Sequence, residues 1–204
     1  MPHKNEPRPR GRPRNFDEGA VKAAAVEAFW TNGYAGVSLD DLKAKTGVAR
    51  PSLAAAFGSK RDLYLASVES FVGQLGVAAQ AVLTGAKPLA EELTAFYEGA
   101  LQIYLSGKVP RGCLAICTLP AEAARDEEIR KALKTVIEGS DAALRSRFEL
   151  AQRRREIKAS ADAAVLAQLA ASLLFSLAVR SRAGISKRDL KAMIEGGAEL
   201  LARA

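Results

Sequence analysis

Residues 38–57, SLDDLKAKTGVARPSLAAAF, contain the signals of two short helices separated by a tight turn. Ser38 is followed three residues later by Asp41, which is the pattern of a helix N-cap with a reciprocal capping acid. Gly47 can adopt the left-handed backbone that ends a helix, and Pro51 is tolerated only in the first turn of the next one. We therefore predict a helix on each side of this glycine turn.

The residues on either side of this stretch predict two further helices. Apolar residues with the helical repeat begin after Asp17, a candidate N-cap, and end at Gly33. Ser59 and Asp62 repeat the capping pattern and begin a longer helix. Two short helices joined by a glycine turn form a helix-turn-helix, whose second helix enters the major groove of DNA, although these residues alone could equally form a plain helical hairpin.

The composition of the whole chain favours an all-α protein. Of its 204 residues, 49% are hydrophobic and 26% are charged, which are ordinary values for a globular protein. Alanine, which favours helix, is far commoner than the β-branched residues that favour strand. The apolar repeat predicts the remaining helices near residues 67–82, 89–105, 114–124, 127–155, 162–182 and 187–203.

The sequence also argues against several classes of function. His3 is the only histidine, and no glycine-rich phosphate loop or convincing carboxylate pair is present, so we expect neither an enzyme nor a cofactor. Cys113 and Cys117 are too few for a metal site; their spacing suits packing on one helical face, with a redox-sensing pair as the alternative. Nothing resembles a signal peptide, and polar residues interrupt the apolar run at 161–179, so we expect a cytoplasmic protein without a membrane partner.

The excess of basic residues is concentrated at the N terminus. The chain has a formal net charge of +7, and residues 1–14 carry four prolines and most of that excess. Pro9-Arg10-Gly11-Arg12-Pro13 resembles the core of the AT-hook, a peptide that lies in the minor groove of A·T-rich DNA. This pattern predicts minor-groove contacts by Arg10, Gly11, Arg12 and Arg14; a basic tail that only aids solubility is the alternative.

Several short segments stand in a fixed order between residues 11 and 66: Gly11-Arg12-Pro13-Arg14, Ala28-Phe29, Gly33-Tyr34, Ser38, Thr46-Gly47-Val48, Ser52-Leu53, Phe57-Gly58-Ser59-Lys60 and Leu63-Tyr64. Together they resemble the N-terminal DNA-binding domain of the tetracycline-repressor (TetR) family. Gly112-Cys113-Leu114, Pro120-Ala121-Glu122 and Arg182-Ala183-Gly184-Ile185 are similar to the divergent C-terminal domain of one subgroup. The resemblance implies a basic arm at 1–14, a three-helix DNA-binding domain at 15–66 and a larger helical ligand-binding and dimerisation domain at 67–204.

The resemblance also implies which side chains contact double-stranded DNA: Ser38, Arg50, Pro51, Ser52, Ala54, Ala56 and Lys60. Ser38 and Lys60 would bind phosphates, Ser52 the backbone, and Arg50 and Pro51 base edges. Ala54 stands where the family usually has a tyrosine, and its neighbours leave the second helix almost without hydrogen-bonding side chains. We therefore expect sequence specificity to depend on Arg50, on methyl contacts with thymine and on the arm, in an operator with A·T-rich segments.

Two sets of apolar residues in the C-terminal helices give the remaining expectations. One set is expected to line a cavity for an unknown small-molecule effector: Phe71, Phe96, Tyr97, Tyr104, Ile116, Cys117, Phe148 and Phe175. The alternative is that these residues fill a core, as aromatic residues at helical spacing more often do. The other set lies on the last two helices, whose excess apolar surface predicts a homodimer interface: Leu166, Leu173, Leu177, Leu190, Ile194, Gly197 and Leu201.

These expectations combine into one hypothesis and one alternative. The hypothesis is a homodimeric transcriptional regulator, a repressor, which a mostly apolar effector releases from a palindromic operator. The alternative is an AT-hook architectural protein that coats A·T-rich DNA without an effector.

Overall fold

The structure is a computed structural model that describes residues 16–107 and 109–204. Within these residues it contains nine helices and no strand: α1 Glu18–Asn32, α2 Leu39–Thr46, α3 Arg50–Phe57, α4 Lys60–Val82, α5 Leu89–Tyr104, α6 Leu114–Ala123, α7 Glu127–Arg153, α8 Ala163–Arg182 and α9 Lys187–Ala202. The predicted all-α fold is confirmed, and the predicted helix ends agree to within about two residues, except that the helix expected near 67–82 is the later part of α4, which begins at Lys60. Arg10, Gly11, Arg12 and Arg14, predicted to contact the minor groove, lie outside the described residues.

Local capping groups define the first three helices, as the sequence predicts. The Asp17 side chain accepts hydrogen bonds from the backbone amides at the start of α1. Ser38 and Asp41 form a reciprocal capping box at α2. Gly47 ends α2 with φ of 71°, in the left-handed region that favours glycine. Leu53 of α3 is 1% exposed and packs into the small core beneath these helices. The helix-turn-helix is therefore present.

Helix α4 connects the N-terminal helices to the rest of the protein. It begins at the predicted Ser59 cap, packs against α1, α3, α5, α6 and α7, and continues without a break to Val82. The domain boundary expected between residues 66 and 67 thus falls inside this helix. In the C-terminal part, α7 packs against α6 and α8, while α5 packs against α8 and α9.

A buried charged cluster holds the loop between α4 and α5 against α7. The Nε of Arg147 donates to Oε2 of Glu92 at 2.5 Å, and its Nη2 donates to Oε2 of Glu156 at 3.0 Å. Glu92 also accepts hydrogen bonds from the backbone amides of Gly85 and Lys87. Burial alone would raise the pKa of the Glu92 carboxyl, but these hydrogen bonds outweigh it and hold the pKa below its ordinary value. The cluster fixes where α4 ends relative to α7.

Candidate DNA-reading surface and effector cavity

The N-terminal end of α3 forms an exposed surface. Arg50, Pro51, Ser52 and Ala54 are exposed, whereas Leu53 between them is buried. Ala49, which precedes the helix, makes no side-chain cap. Pro51 has no backbone N–H, and the Ser52 amide donates to the Ala49 carbonyl at 2.9 Å, so this end of α3 presents mainly its side chains. An exposed helix N-terminus with an arginine in its first turn can approach a groove of DNA and bind phosphate or guanine.

Arg50 is held by an acid on the neighbouring helix. Its Nη1 lies 3.1 Å from Oδ2 of Asp40, and the two side chains are 55% and 64% exposed. This ion pair is too exposed to stabilise the fold appreciably. It does fix one orientation of the guanidinium above the surface of α3, and it places a carboxylate where a nucleic acid phosphate would be repelled.

The other predicted DNA contacts have different surroundings. The Ser38 hydroxyl caps α2 by accepting from the Asp41 backbone amide at 3.1 Å, and it donates to the Asp41 carboxylate at 2.6 Å. Hydrogen bonds from Ser38 lower the pKa of Asp41 and keep this cap ionised. The Nζ of Lys60 lies 4.3 Å from the centre of the Tyr34 ring, in a cation–π contact at the start of α4. Ala56 is half-buried, unlike the exposed residues before it.

A cavity of about 880 Å³ lies between α4 and α7. Helices α5, α6 and α8 close its inner side, and apolar atoms form most of its surface. Four of the residues predicted to line a cavity do so: Phe96, Tyr104, Ile116 and Phe175. A volume of this size is sufficient for a small organic ligand.

The other four predicted lining residues lie elsewhere, because they serve contacts between helices. Phe71 packs edge-on against Trp30 with ring centres 4.7 Å apart. The Tyr97 hydroxyl donates to a backbone carbonyl of α8 at 3.0 Å. Phe148 is completely buried in the core, and Cys117 has its Sγ 3.8 Å from another α8 carbonyl. The helical repeat alone did not distinguish these core positions from the cavity wall.

The cavity exists because α4 and α7 meet at both ends and are separated in between. Near their first turns Arg61 lies 3.4 Å from Asp126, the N-cap of α7. Near their last turns the α4–α5 loop packs against Leu150. Between these ends, both helices place several glycines and alanines on the cavity wall, and at Gly73 and Gly139 an added Cβ would meet nothing within 4 Å.

Sequence reasoning missed these small residues, although a signal was present. Glycine inside a helix costs stability relative to alanine, so its repeated use in α4 needs a packing or functional reason. The structure supplies that reason, since Gly73, Gly76 and Gly139 all line the cavity.

A cluster of aromatic and basic side chains connects the cavity to α1. The backbone carbonyl of Tyr104, a cavity residue, accepts hydrogen bonds from the amides of Arg111 and Gly112 at 3.0 and 3.1 Å. Trp30 Nε1 donates to the Gly112 carbonyl at 2.8 Å, and the Arg111 guanidinium lies 3.9 Å from the centre of the Trp30 ring. Arg111 also binds Glu27 at 2.5 Å. This cluster therefore adds a second connection between the cavity wall and α1, beside the packing of α4 against α1.

The two cysteines lie in surroundings that favour packing. Cys113 is 3% exposed and lines the inner end of the cavity beside Tyr104. Burial raises the pKa of the Cys113 thiol to about 11, and burial also raises that of Cys117. Both thiols are therefore protonated at neutral pH, a state of low reactivity.

Helices α8 and α9 leave an apolar face exposed, which we call the α8–α9 outer face. Val165, Leu169 and Val179 of α8 are 49%, 54% and 53% exposed, and Leu200 of α9 is 74% exposed. The spacing of the three α8 residues follows the helical repeat, so they lie along one side of the helix. Large exposed apolar side chains on neighbouring helices indicate a protein interface.

Most of the residues predicted for that interface lie on the opposite side of these helices. Five are buried inside the protomer: Leu166, Leu177, Leu190, Ile194 and Leu201. Leu173 is half-buried beside Gly197, where an added Cβ would meet the leucine side chain. The error has a physical cause. Helix α8 is apolar on two sides, and the sequence does not show which side packs against its own chain.

Helix α8 is also long and apolar enough to cross a membrane, judged by length and composition alone. One such helix is weak evidence, because core helices of soluble proteins pass the same test. Packing inside the protomer and the α8–α9 outer face account for its apolar residues.

Comparisons with known proteins match both parts of the chain. A family model described as bacterial regulatory proteins, tetR family, matches residues 22–67, and one described as the tetracyclin repressor-like C-terminal domain matches residues 88–195. The HTH-type transcriptional repressor ComR of Escherichia coli (strain K12) is 28% identical over 182 residues, which cover 89% of this chain and 87% of that relative.

Two solved structures extend this similarity to the fold. A cysteine mutant of the TetR family transcriptional regulator CifR, complexed with 26-bp double-strand operator DNA, is 30% identical, with 92% of this chain and 98% of that chain covered and a TM-score of 0.82. The transcriptional regulator FadR from Bacillus subtilis, in complex with stearoyl-CoA, is 20% identical, with coverage of 91% and 98% and a TM-score of 0.76. The second similarity shows a shared fold.

Proposed function

Because the chain belongs to the tetracycline-repressor (TetR) family of bacterial transcriptional regulators, we propose that it is a homodimeric repressor. In this proposal it binds a palindromic operator, and a small, mostly apolar effector in the α4–α7 cavity releases it. Two relatives support the repressor and operator parts: ComR is named a repressor, and CifR was solved with operator DNA. Because the proposed partner is bacterial DNA, the proposed location is the cytoplasm. The proposal includes no catalytic step.

One observation carries this proposal: α4 belongs to both halves of the mechanism. Its first turn, with Lys60, is separated from the C-terminal end of α3 by Gly58 and Ser59, α4 packs against α3, and its residues from Leu65 to Gln80 form a wall of the cavity. Because α4 is one continuous helix of 23 residues, a ligand that displaces the wall also moves the first turn. A ligand that binds one arrangement better then shifts the population of DNA-competent conformers.

The DNA contacts in this proposal come from the exposed end of α3 and from the arm. Arg50 and Pro51 reach base edges in the major groove, while Arg10 and Arg12 enter the minor groove. Lys60 binds a phosphate at the start of α4. The exposure of Arg50 and Pro51 supports their role, and the ion pair of Arg50 with Asp40 would exchange for contacts with DNA.

The dimer in this proposal forms through the α8–α9 outer face. Two copies related by a two-fold axis would bury Leu169 and Leu200 and would present two α3 helices to the two halves of a palindrome. A change in the angle of α4 in each protomer would then change the spacing of the two α3 helices.

In vitro selection of bound duplexes from a random pool tests the DNA part, using full-length protein and protein without residues 1–14 at one stated salt concentration. We expect a palindrome whose half-sites lie one or more helical turns apart, bound more weakly by the truncated protein but with unchanged major-groove letters. Selection of A·T-richness alone, lost on truncation, would instead support an architectural DNA-binding protein.

A further inference from the structure

We propose that the α4–α7 cavity selects an elongated amphiphilic cation over an anion of the same length. This inference rests on the proposed function, since it names the chemical class of the effector. It is based on the shape of the cavity, on the distribution of charge along its walls and on the one lining carboxylate that has no partner among the described residues.

The cavity is elongated because its lining follows two helices over most of their length. On α4 the lining residues run from Asp62 to Gln80, a distance of about 27 Å at ~1.5 Å per residue. On α7 they run from Glu128 to Leu144, over a similar distance. The two helices are parallel, because Arg61 meets Asp126 near their first turns, and the α4–α5 loop meets α7 near their last turns. A compact ligand would leave much of this space unfilled.

Charged side chains occupy one end of the cavity only. Asp62, Glu69, Glu128 and Lys131 all belong to the first halves of α4 and α7. Beyond Glu69 the lining residues of α4 are uncharged, and so are those of α7 beyond Lys131, while aromatic side chains of α5 and α8 close the inner side. The cavity thus offers a charged end for a head group and a long apolar part for a chain.

Three of the four charged groups already have partners within the protein. The Lys131 ammonium lies 2.9 Å from a Glu128 carboxylate oxygen. The Asp62 carboxylate accepts hydrogen bonds from the backbone amide and hydroxyl of Ser59, both at 2.8 Å. Glu69, by contrast, has no ion pair or hydrogen bond to any other residue that the structure describes.

The uncompensated charge at the head-group end is therefore negative. An anionic head would approach Glu69 and would find Lys131 already bound to Glu128, so it would be repelled. A cationic head would instead pair with Glu69, and the exposure of this side chain limits that gain to a modest one.

Calorimetric titration of the full-length protein without DNA tests the charge preference, with dodecyltrimethylammonium and dodecanoate below their micellar concentrations as matched probes. We expect the cation to bind roughly tenfold more tightly than the anion. Glu69→Gln should weaken cation binding roughly threefold to fivefold. Glu91→Gln, which removes an exposed carboxylate outside this cavity, should change neither affinity.

A blocked cavity separates cavity binding from binding at the surface. Gly139→Leu extends a side chain from a position with open space, so it should abolish binding of both probes and leave the unfolding temperature near that of the wild type. Gly73→Leu offers the same test from the opposite wall if the first variant fails to fold.

Dodecanoate binding as tight as the cation, or failure of both probes to bind the wild type, would overturn the inference. So would cation binding that survives both blocked variants. None of these results depends on DNA, so the duplex selection tests the proposed binding of an operator independently. If the cation releases selected operator DNA from the wild type but not from the Gly139→Leu protein, cavity binding and DNA release are connected. The variant also controls for direct binding of the cation to DNA.

Discussion

The DNA-reading head, formed by α1–α3, and the body, formed by α4–α9, are stabilised in different ways. In the head, capping groups lie within three residues of the helix they begin, as Ser38 and Asp41 do at α2. In the body, the central buried ion pair joins Glu92 and Arg147, which are 55 residues apart. The head also keeps its functional face exposed, whereas the body encloses a cavity between two helices. Local caps begin helices in both regions, but the buried charges of the body are satisfied by contacts between distant segments.

The largest expected effect tests the long-range cluster of the body. Arg147→Met leaves Glu92 and Glu156 without their buried cation, so we expect the free energy of unfolding to fall by about 3–5 kcal/mol, measured by urea denaturation. Arg145→Met is the matched control, because Arg145 forms an exposed ion pair with Glu149 one turn away and should cost less than about 0.5 kcal/mol. Equal losses in the two variants would contradict the distinction between a buried long-range ion pair and an exposed local one.

The next effect concerns the α8–α9 outer face of the body. Leu169→Asp would place a charge in the proposed interface and should weaken dimerisation by about a hundredfold, measured by analytical ultracentrifugation. Val77→Asp is the control, because Val77 is 70% exposed on α4, away from that face. A dimer that survives Leu169→Asp unchanged would place the interface elsewhere.

A smaller effect is expected for the reading surface of the head. Arg50→Ala should weaken operator binding by about 1–3 kcal/mol and relax the base preference at one position in each half-site, measured by binding titrations with single-base variants. Arg188→Ala removes the same charge from α9, where the side chain is 92% exposed, and should leave the base preference unchanged. If Arg50→Ala weakens binding to all sequences equally, Arg50 binds phosphate and not bases.

The smallest effects compare glycines of the two regions. Gly47 in the head has φ of 71°, so Gly47→Ala should cost about 1 kcal/mol through backbone strain. Gly139 in the body lies inside α7 with open space around it, so Gly139→Ala should stabilise the fold by about 0.5–1 kcal/mol. Thermal unfolding of both variants measures the change in stability. A change of the same sign at both positions would contradict the different roles given to Gly47 and Gly139.

The extent to which sequence reasoning succeeded follows the difference between local and long-range contacts. The caps at Asp17, Ser38 and Ser59 and the glycine turn at Gly47 were predicted correctly, since each depends on neighbouring residues. The exposed end of α3 follows from the same local signals. In the body, the helix positions were predicted but their packing was not: Tyr97 and Phe148 were expected in the cavity and lie in the core.

The sequence by itself determined the all-α class, the order of the helices and the family, because capping groups, helical periodicity and short motifs are local properties of the chain. Only the tertiary structure decided which apolar side of α8 is exposed, that Arg147 is paired with Glu92 and that small residues of α4 and α7 open a cavity. Those features depend on which distant segments meet, and an apolar stripe has the same pattern in sequence whether it faces a core, a ligand or a second subunit.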